Sequence, residues 1–302
     1  MADLARLLPH GERLGVAVSG GADSLALLLL AQVALPGGIE AATVDHGLRA
    51  ESAEEAEAVA AICAELGVIH ERLTVEIATG NLQARARAAR YRALAEWSAR
   101  RGLAAVATAH HADDQAETVL MRLNRGSGVA GLAGVRPAEL IEGIQVLRPL
   151  LGWRKRELED LCRAAGLTPA RDPSNADPRF DRARMRAALA EAEWLDPAAI
   201  ARSAEHLRDA DQTLDWAAEH EWNSRVTHEP DVLTYRPLAP RAVRLRILAR
   251  MIAVFGEGAR GSAVAALLDA LESGGGGTLG GALATSKCGV WRVRREPPRA
   301  PR

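Results

Sequence analysis

Short runs of apolar positions alternate, through the first 165 residues, with stretches in which apolar residues recur every three or four places. The runs are Leu14–Val18, Ile39–Asp45, Val68–Val75, Ala104–Ala109 and Ile144–Leu147, and they predict strands. The stretches Leu25–Ala34, Ala53–Leu66, Leu82–Arg101, Gln115–Leu123 and Arg154–Ala165 predict helices. Strand and helix in strict alternation imply an α/β fold, a doubly wound parallel sheet of five strands with helices on both faces. Near residue 190 the pattern changes. Helices are expected over Pro197–Asn223, Arg241–Val254 and Gly261–Leu271, then a flexible turn at Ser273–Gly277 and a terminal hairpin within Thr278–Arg295. The expected organisation is a domain over residues 1–190 and a smaller, mostly helical one over 191–302.

Composition changes this picture little. Of 302 residues 48% are apolar and 25% charged, ordinary for a soluble globular chain. The longest mostly apolar run, Leu25–Leu35, is far short of the roughly 20 residues that cross a bilayer, and no secretory signal is evident, so no membrane partner and a cytoplasmic location are expected. Three scattered cysteines (Cys63, Cys162, Cys288) give no disulfide framework and no zinc spacing. Charge adds more. Residues 1–78 carry 4 Lys+Arg against 12 Asp+Glu, whereas residues 79–190 carry 19 against 12. A basic central segment in a near-neutral chain is compatible with a polyanion such as RNA.

The candidate chemistry sits at the predicted strand ends, where α/β sheets bind ligands. After the first strand come Ser19, Gly20, Gly21, Ala22, Asp23 and Ser24. A strand turning into a helix this way aims backbone N–H groups at an anion, and the glycines keep Cβ atoms out of its approach. Asp23 would repel a bare phosphate, which suggests a divalent cation, Mg²⁺, between them. With no lysine here, a Walker A loop is excluded. Asp45 and His46 follow the second strand. His110–Thr118 follows the fourth, with Asp114 and Glu117 three apart on one helix face, a two-carboxylate clamp suited to an ammonium group. Of the adjacent histidines, one is expected to face the ligand and the other to pack. Arg125 heads the glycine-rich stretch Gly126–Gly131, placed to neutralise charge on a leaving group. Arg87 and Arg90 share a helix face with Tyr91, and Arg179, Arg182 and Arg186 recur at helical spacing, a candidate phosphate track.

The Ser19–Ser24 hexad resembles the pyrophosphate loop of the N-type ATP pyrophosphatases, the PP-loop superfamily with a Rossmann-like sheet. Together with Val44–Arg49, Ala89–Arg92, His110–Thr118, Arg125–Gly131, Arg148–Leu151, Asp172–Asn175 and Arg182–Arg186, it resembles the tRNA(Ile)-lysidine synthetase family over residues 14 to about 190. The resemblance implies a ligase. The wobble cytidine of the CAU anticodon of tRNA(Ile) is adenylated at carbon-2 by ATP, and L-lysine then displaces AMP. It further implies that Ser19–Ser24 hold pyrophosphate, with Mg²⁺ on Asp23, and that Asp114 and Glu117 grip the lysine. Asp23, Asp114, Glu117 and Arg125 are thus the candidate catalytic residues. Asp45, His46 and His110 join the loop as candidate cofactor-binding residues, and the two arginine sets face RNA. A homodimer is compatible with this reading.

Two departures from the family pattern stand out. The chain is expected to be a short form, without the further C-terminal domain of many members. The segment Arg182-Ala183-Arg184-Met185-Arg186 has Ala and Met where Asn and Ile are usual. The nearest rival reading is a tRNA thiolase of the same superfamily, which needs a sulfur carrier on clustered or catalytic cysteines. A non-catalytic nucleotide- or RNA-binding module is the other, and it has little use for both Asp23 and the Asp114–Glu117 pair.

Overall fold

The computed structural model describes residues 8, 11–45, 51–75, 82–170, 181–259 and 261–297. Two compact units divide the chain, residues 1–208 and 209–302, and each is taken by itself.

In the first unit the central strands are near-continuous apolar runs because both faces of the sheet are covered. The strands are β1 (Leu14–Ala17), β2 (Ile39–Asp45), β3 (Ile69–Thr74), β4 (Ala105–Ala107), β5 (Ala138–Ile141) and β6 (Ile144–Leu147), in the order β3-β2-β1-β4-β6-β5. All five expected strands are present and mutually parallel. β5 is an addition that pairs antiparallel with β6 through the turn Glu142-Gly143, both at positive φ.

One face packs α1 (Ala22–Ala34), α2 (Glu51–Glu65) and α6 (Lys155–Ala164), joining Val16, Ala41, Ala107 and Leu147 to Leu25, Leu28, Val59 and Leu158. The other face sends Ala42, Val106 and Val146 against Tyr91, Leu94 and Trp97 of α3 (Leu82–Arg101). Gly15 of β1 permits that packing, since a Cβ there would lie 2.6 Å from the Trp97 ring. Strand order reverses beside β1, so a crevice opens between the carboxyl ends of β1 and β4. Around it stand α4 (Ala112–Leu123), the short α5 (Val129–Leu132) and α7 (Asp181–Glu191).

α8 (Pro197–Arg225) runs past residue 208. The second unit then holds α9 (Arg241–Phe255) and α10 (Gly261–Glu272), the helices expected there. Where a mostly helical domain with one hairpin was expected, five strands form an antiparallel sheet, ordered β7-β8-β11-β10-β9. These are β7 (Val226–Glu229), β8 (Val232–Tyr235), β9 (Gly276–Leu279), β10 (Ala282–Lys287) and β11 (Val290–Arg295). The expected flexible glycine tract supplies the start of β9. β7 and β8 escape a periodicity reading because four-residue strands flanking Pro230-Asp231 carry too few apolar positions to register. Their inward residues, with Trp291 and Val293, pack on Leu248 and Met251. Among the described residues, no helix is long and apolar enough to cross a membrane.

Candidate active site

The loop after β1 is braced from within. Ser24 Oγ accepts the Ser19 N–H (3.0 Å), donates to the Gly21 carbonyl (2.9 Å) and lies 3.2 Å from Ser19 Oγ. The Ala170 N–H holds the Gly20 carbonyl at 2.9 Å. Gly20 sits at φ +83°, where a side chain would strain the backbone. α1 begins at Ala22, so the first-turn N–H groups of Ala22 and Asp23 have no partner within their own helix, an arrangement suited to an anion. One carboxylate oxygen of Asp23, Oδ1, is buried without a protein partner.

The two histidines part at the start of α4. His111 is 3% exposed and lies among three carboxylates. Its Nε2 is 3.5 Å from Asp23 Oδ2 and from Asp114 Oδ2, and its Nδ1 is 3.5 Å from Asp113 Oδ2. Burial alone would lower its pKa, but the Asp113 and Asp23 contacts and the Asp114 charge together raise it to about 10. Burial would likewise raise the pKa of Asp113, yet His111, the Lys155 N–H and Arg154 hold it far below the usual carboxylate range. Asp113 accepts that Lys155 N–H at 2.8 Å, so it ties the start of α6 to α4. His110 turns the other way. Its Nδ1 is 3.1 Å from Thr108 Oγ1, and burial, followed by the charges of Arg148, Arg90, Arg87 and Arg182, lowers its pKa to about 3.

His110 lines a cavity of about 770 Å³ that also takes in Arg87, Arg122, Arg125, Arg148 and Arg182. Two of these arginines carry contacts that the sequence reading missed. Arg148, 1% exposed, donates to the Arg136 carbonyl (2.7 Å) and to Glu139 (2.9 Å). Arg122 donates to the carbonyls of Gly131 (2.7 Å) and Gly134 (2.9 Å), closing the glycine-rich segment onto α4. Arg125 is exposed and 3.5 Å from Asp181. Arg87 and Arg90 lie over the Tyr91 ring at 4.9 and 5.5 Å, and burial lowers the pKa of Arg90.

The expected clamp has a tenant. Asp114 Oδ2 accepts the His111 backbone N–H at 3.1 Å, capping α4. Glu117, 2% exposed, is gripped by the guanidinium of Arg186 from α7. Arg186 Nε donates to Oε1 at 2.7 Å and Nη2 to Oε2 at 3.2 Å. Arg186 therefore turns inward, unlike its helix neighbour Arg182. Asp45 is also engaged, bonded at the end of β2 by Arg72 of β3. His46 and Arg179 lie outside the described residues.

Scattered in sequence, the cysteines are not all remote from the loop: Cys162 Sγ donates to the Ala22 carbonyl at 3.2 Å, directly beneath it. It is buried there, and burial, helped by the Asp23 charge, raises its pKa. Cys63 is buried too and pushed up to about 11. Neither is a nucleophilic thiolate.

Comparison with known proteins bears on what these halves serve. Residues 2–193 match a PP-loop domain family, ATP_bind_3. The tRNA(Ile)-lysidine synthase of Novosphingobium aromaticivorans is 47% identical over 98% of this chain and 92% of its own length. That of Zymomonas mobilis subsp. mobilis is 42% identical over 96% and 91%. Among solved structures, the U34-tRNA thiolase NcsA from Methanococcus maripaludis, with its 4Fe-4S cluster, is similar with a TM-score of 0.56 at 20% identity, covering 67% of this chain and 73% of that one. That is a likeness of fold alone.

Proposed function

The chain belongs to the tRNA(Ile)-lysidine synthases of the PP-loop family, and on that premise we propose that it joins L-lysine to carbon-2 of the wobble cytidine in the CAU anticodon of tRNA(Ile), using ATP. The carbon-2 oxygen attacks the α-phosphate, the bond to the β-phosphate breaks, and pyrophosphate leaves. The lysine ε-amine then attacks carbon-2 and AMP departs with that oxygen. The reaction belongs in the cytoplasm, where ATP and tRNA are both at hand.

Each half of the crevice has a task in this scheme. The Ser19–Ser24 loop cradles the phosphates through backbone N–H groups and hydroxyls. Asp23 suits Mg²⁺, because its buried Oδ1 has no protein partner and one carboxylate with phosphate oxygens is an ordinary Mg²⁺ set. When bound, Mg²⁺ supplies charge neutralisation at the leaving pyrophosphate. Arg125, exposed at the cavity rim, adds positive charge for the same group. Asp114 and Glu117 orient the ammonium, and a carboxylate of the pair accepts the proton that the amine must lose. Arg87 and Arg182 meet RNA phosphate across the cavity.

One observation carries the reading. The phosphate loop and a carboxylate pair, the half-buried Asp114 and the buried Glu117, flank one side of the start of α4, and an arginine-lined cavity of nucleotide size opens on the other. The reaction needs an anion seat, an ammonium seat and a seat for a polyanion at one point. A thiolase reading lacks its sulfur carrier here, since Cys63 and Cys162 are buried, protonated core residues. The test is direct. Purified protein with ATP, Mg²⁺, labelled lysine and the CAU-anticodon tRNA should put label into the RNA, with pyrophosphate released in step. Pyrophosphate release without transfer of label would overturn the assignment.

A further inference from the structure

The pairing of Arg186 with Glu117 has no role in the scheme above, yet it fills the seat that the scheme gives to lysine. We propose that Arg186 is a stand-in for the substrate amine, holding the lysine site closed until RNA phosphate draws its guanidinium away. This rests on the assignment of Asp114 and Glu117 to the lysine ammonium.

A buried carboxylate left alone is costly, so Glu117 needs a cation or donor whenever no substrate is present. Arg186 supplies it with both arms of its fork and also stands 4.0 Å from Asp114 Oδ1. It thus spans the same two carboxylates that are spaced for an ammonium. Burial would lower the pKa of Arg186, but Glu117, Asp114 and Asp23 raise it, so the stand-in is always charged. With both oxygens of Glu117 taken, an incoming ammonium meets a like charge within a few ångströms in a half-buried site, and the two cations exclude each other.

The helix that carries Arg186 is built to let go. No residue of α7 is buried. Among the described residues, its ion pairs to α4 and the following turn are Arg186–Glu117, the longer Arg186–Asp114 and the exposed Arg125–Asp181. An element held by ion pairs rather than by apolar burial belongs to the low-stability end of a fold. The same helix presents Arg182 to the cavity. RNA that engages α7 offers Arg186 a phosphate, which a guanidinium binds with the same fork geometry as a carboxylate. Linkage then runs both ways. RNA tightens lysine binding, and lysine tightens RNA binding by the same factor. The amine would be admitted only when there is a cytidine to receive it.

The test measures binding of labelled L-lysine to the full-length protein by equilibrium dialysis, without ATP, with and without the CAU-anticodon tRNA. In the wild type, tRNA should tighten lysine binding within the roughly 5–150-fold range usual for coupled sites. Arg186→Met keeps the stem and removes the charge. It should bind lysine without RNA about tenfold tighter than the wild type does, by removal of a competitor that holds the competent fraction down. Its response to RNA should shrink to about twofold or less. Millimolar methylguanidinium should refill the place and restore the competition, which a merely structural role would not permit. Lysine binding in Arg186→Met that is unchanged or weaker without RNA, or an RNA effect as large as in the wild type, overturns the proposal. If Arg186→Met does not fold by circular dichroism, Arg186→Lys replaces it. Its single-point contact should give a coupling clearly below wild type, and an equal coupling sinks the idea. Glu117→Gln separates the two levels. Loss of lysine affinity there with intact coupling in the Arg186 variants removes only the stand-in, whereas undiminished lysine affinity removes the clamp and the stand-in together.

Discussion

His110 and His111 are neighbours in the chain and opposites in chemistry. His111, among Asp23, Asp113 and Asp114, keeps its proton up to about pH 10, while His110, facing Arg148, Arg90, Arg87 and Arg182, gives its proton up at about pH 3. Extended backbone sends consecutive side chains to opposite sides, and here each side is a region of a different sign. The acidic region is compact, with half-buried carboxylates around a buried imidazole. The basic region is a cavity of about 770 Å³, wide enough for a nucleotide. In the scheme proposed above, one peptide unit thus divides the side that would take metal, pyrophosphate and amine from the side that would take RNA.

The comparison can be broken most sharply at Asp23, the acidic residue nearest the phosphate loop. Asp23→Ala should lower pyrophosphate release by at least about a hundredfold, the scale of several kcal/mol of lost charge stabilisation. Near-normal release from a folded variant would remove this residue from the chemistry. Next in size is Glu117→Gln, which keeps shape and removes charge. The lysine KM should rise roughly ten- to a hundredfold, the scale of a charge-assisted hydrogen bond, while adenylated tRNA still forms. Equal loss of both products in quenched reactions would mean that the acidic region serves adenylation instead.

On the basic side, Arg182→Ala should lower the slope of log RNA affinity against log salt by about one unit, the value of one phosphate contact. An unchanged slope would make Arg182 a solvated side chain. The smallest effect concerns the histidines. A pKa raised in the folded state adds stability below about pH 6.5 that is lost as pH rises towards 10, so His111 should steepen the alkaline fall of Tm in chelator-treated protein. A lowered pKa has the reverse sense. His110 should cost stability progressively as pH falls from about 6.5 towards 3. His111→Asn should flatten only the alkaline limb and His110→Asn only the acid limb. A single limb governed by both would collapse the comparison.

Much of the first unit was legible because a parallel sheet covered on both faces writes its strands as unbroken apolar runs. β5 was missed although its signal is present, since Glu142-Gly143 between two short apolar runs is a two-residue hairpin turn. The strand-end motifs were readable because loop, carboxylates and histidines are each local in sequence. What they bond to is not local. Glu117 and Arg186 are 69 residues apart, and the Arg72 partner of Asp45 follows from the register of β2 on β3. Spacing put Arg182 and Arg186 on one stripe, but only packing could turn one towards the cavity and the other towards a buried carboxylate. Arg122 gave no motif at all, and the Arg148–Leu151 motif carried no sign of what its arginine bonds, because the work of both is to hold carbonyls that the chain folds towards them.

Gly15 has a consequence for genetics. Its carbon lies against the rigid indole of Trp97 and near Val106, four residues before Ser19, and a methyl group there has nowhere to go. An alanine at this position would shift β1, and with it the phosphate loop, without touching a single polar group. A screen scored by loss of growth would group Gly15 with Asp23, and heat-sensitive alleles should arise where Trp97 is replaced by a smaller residue alongside it.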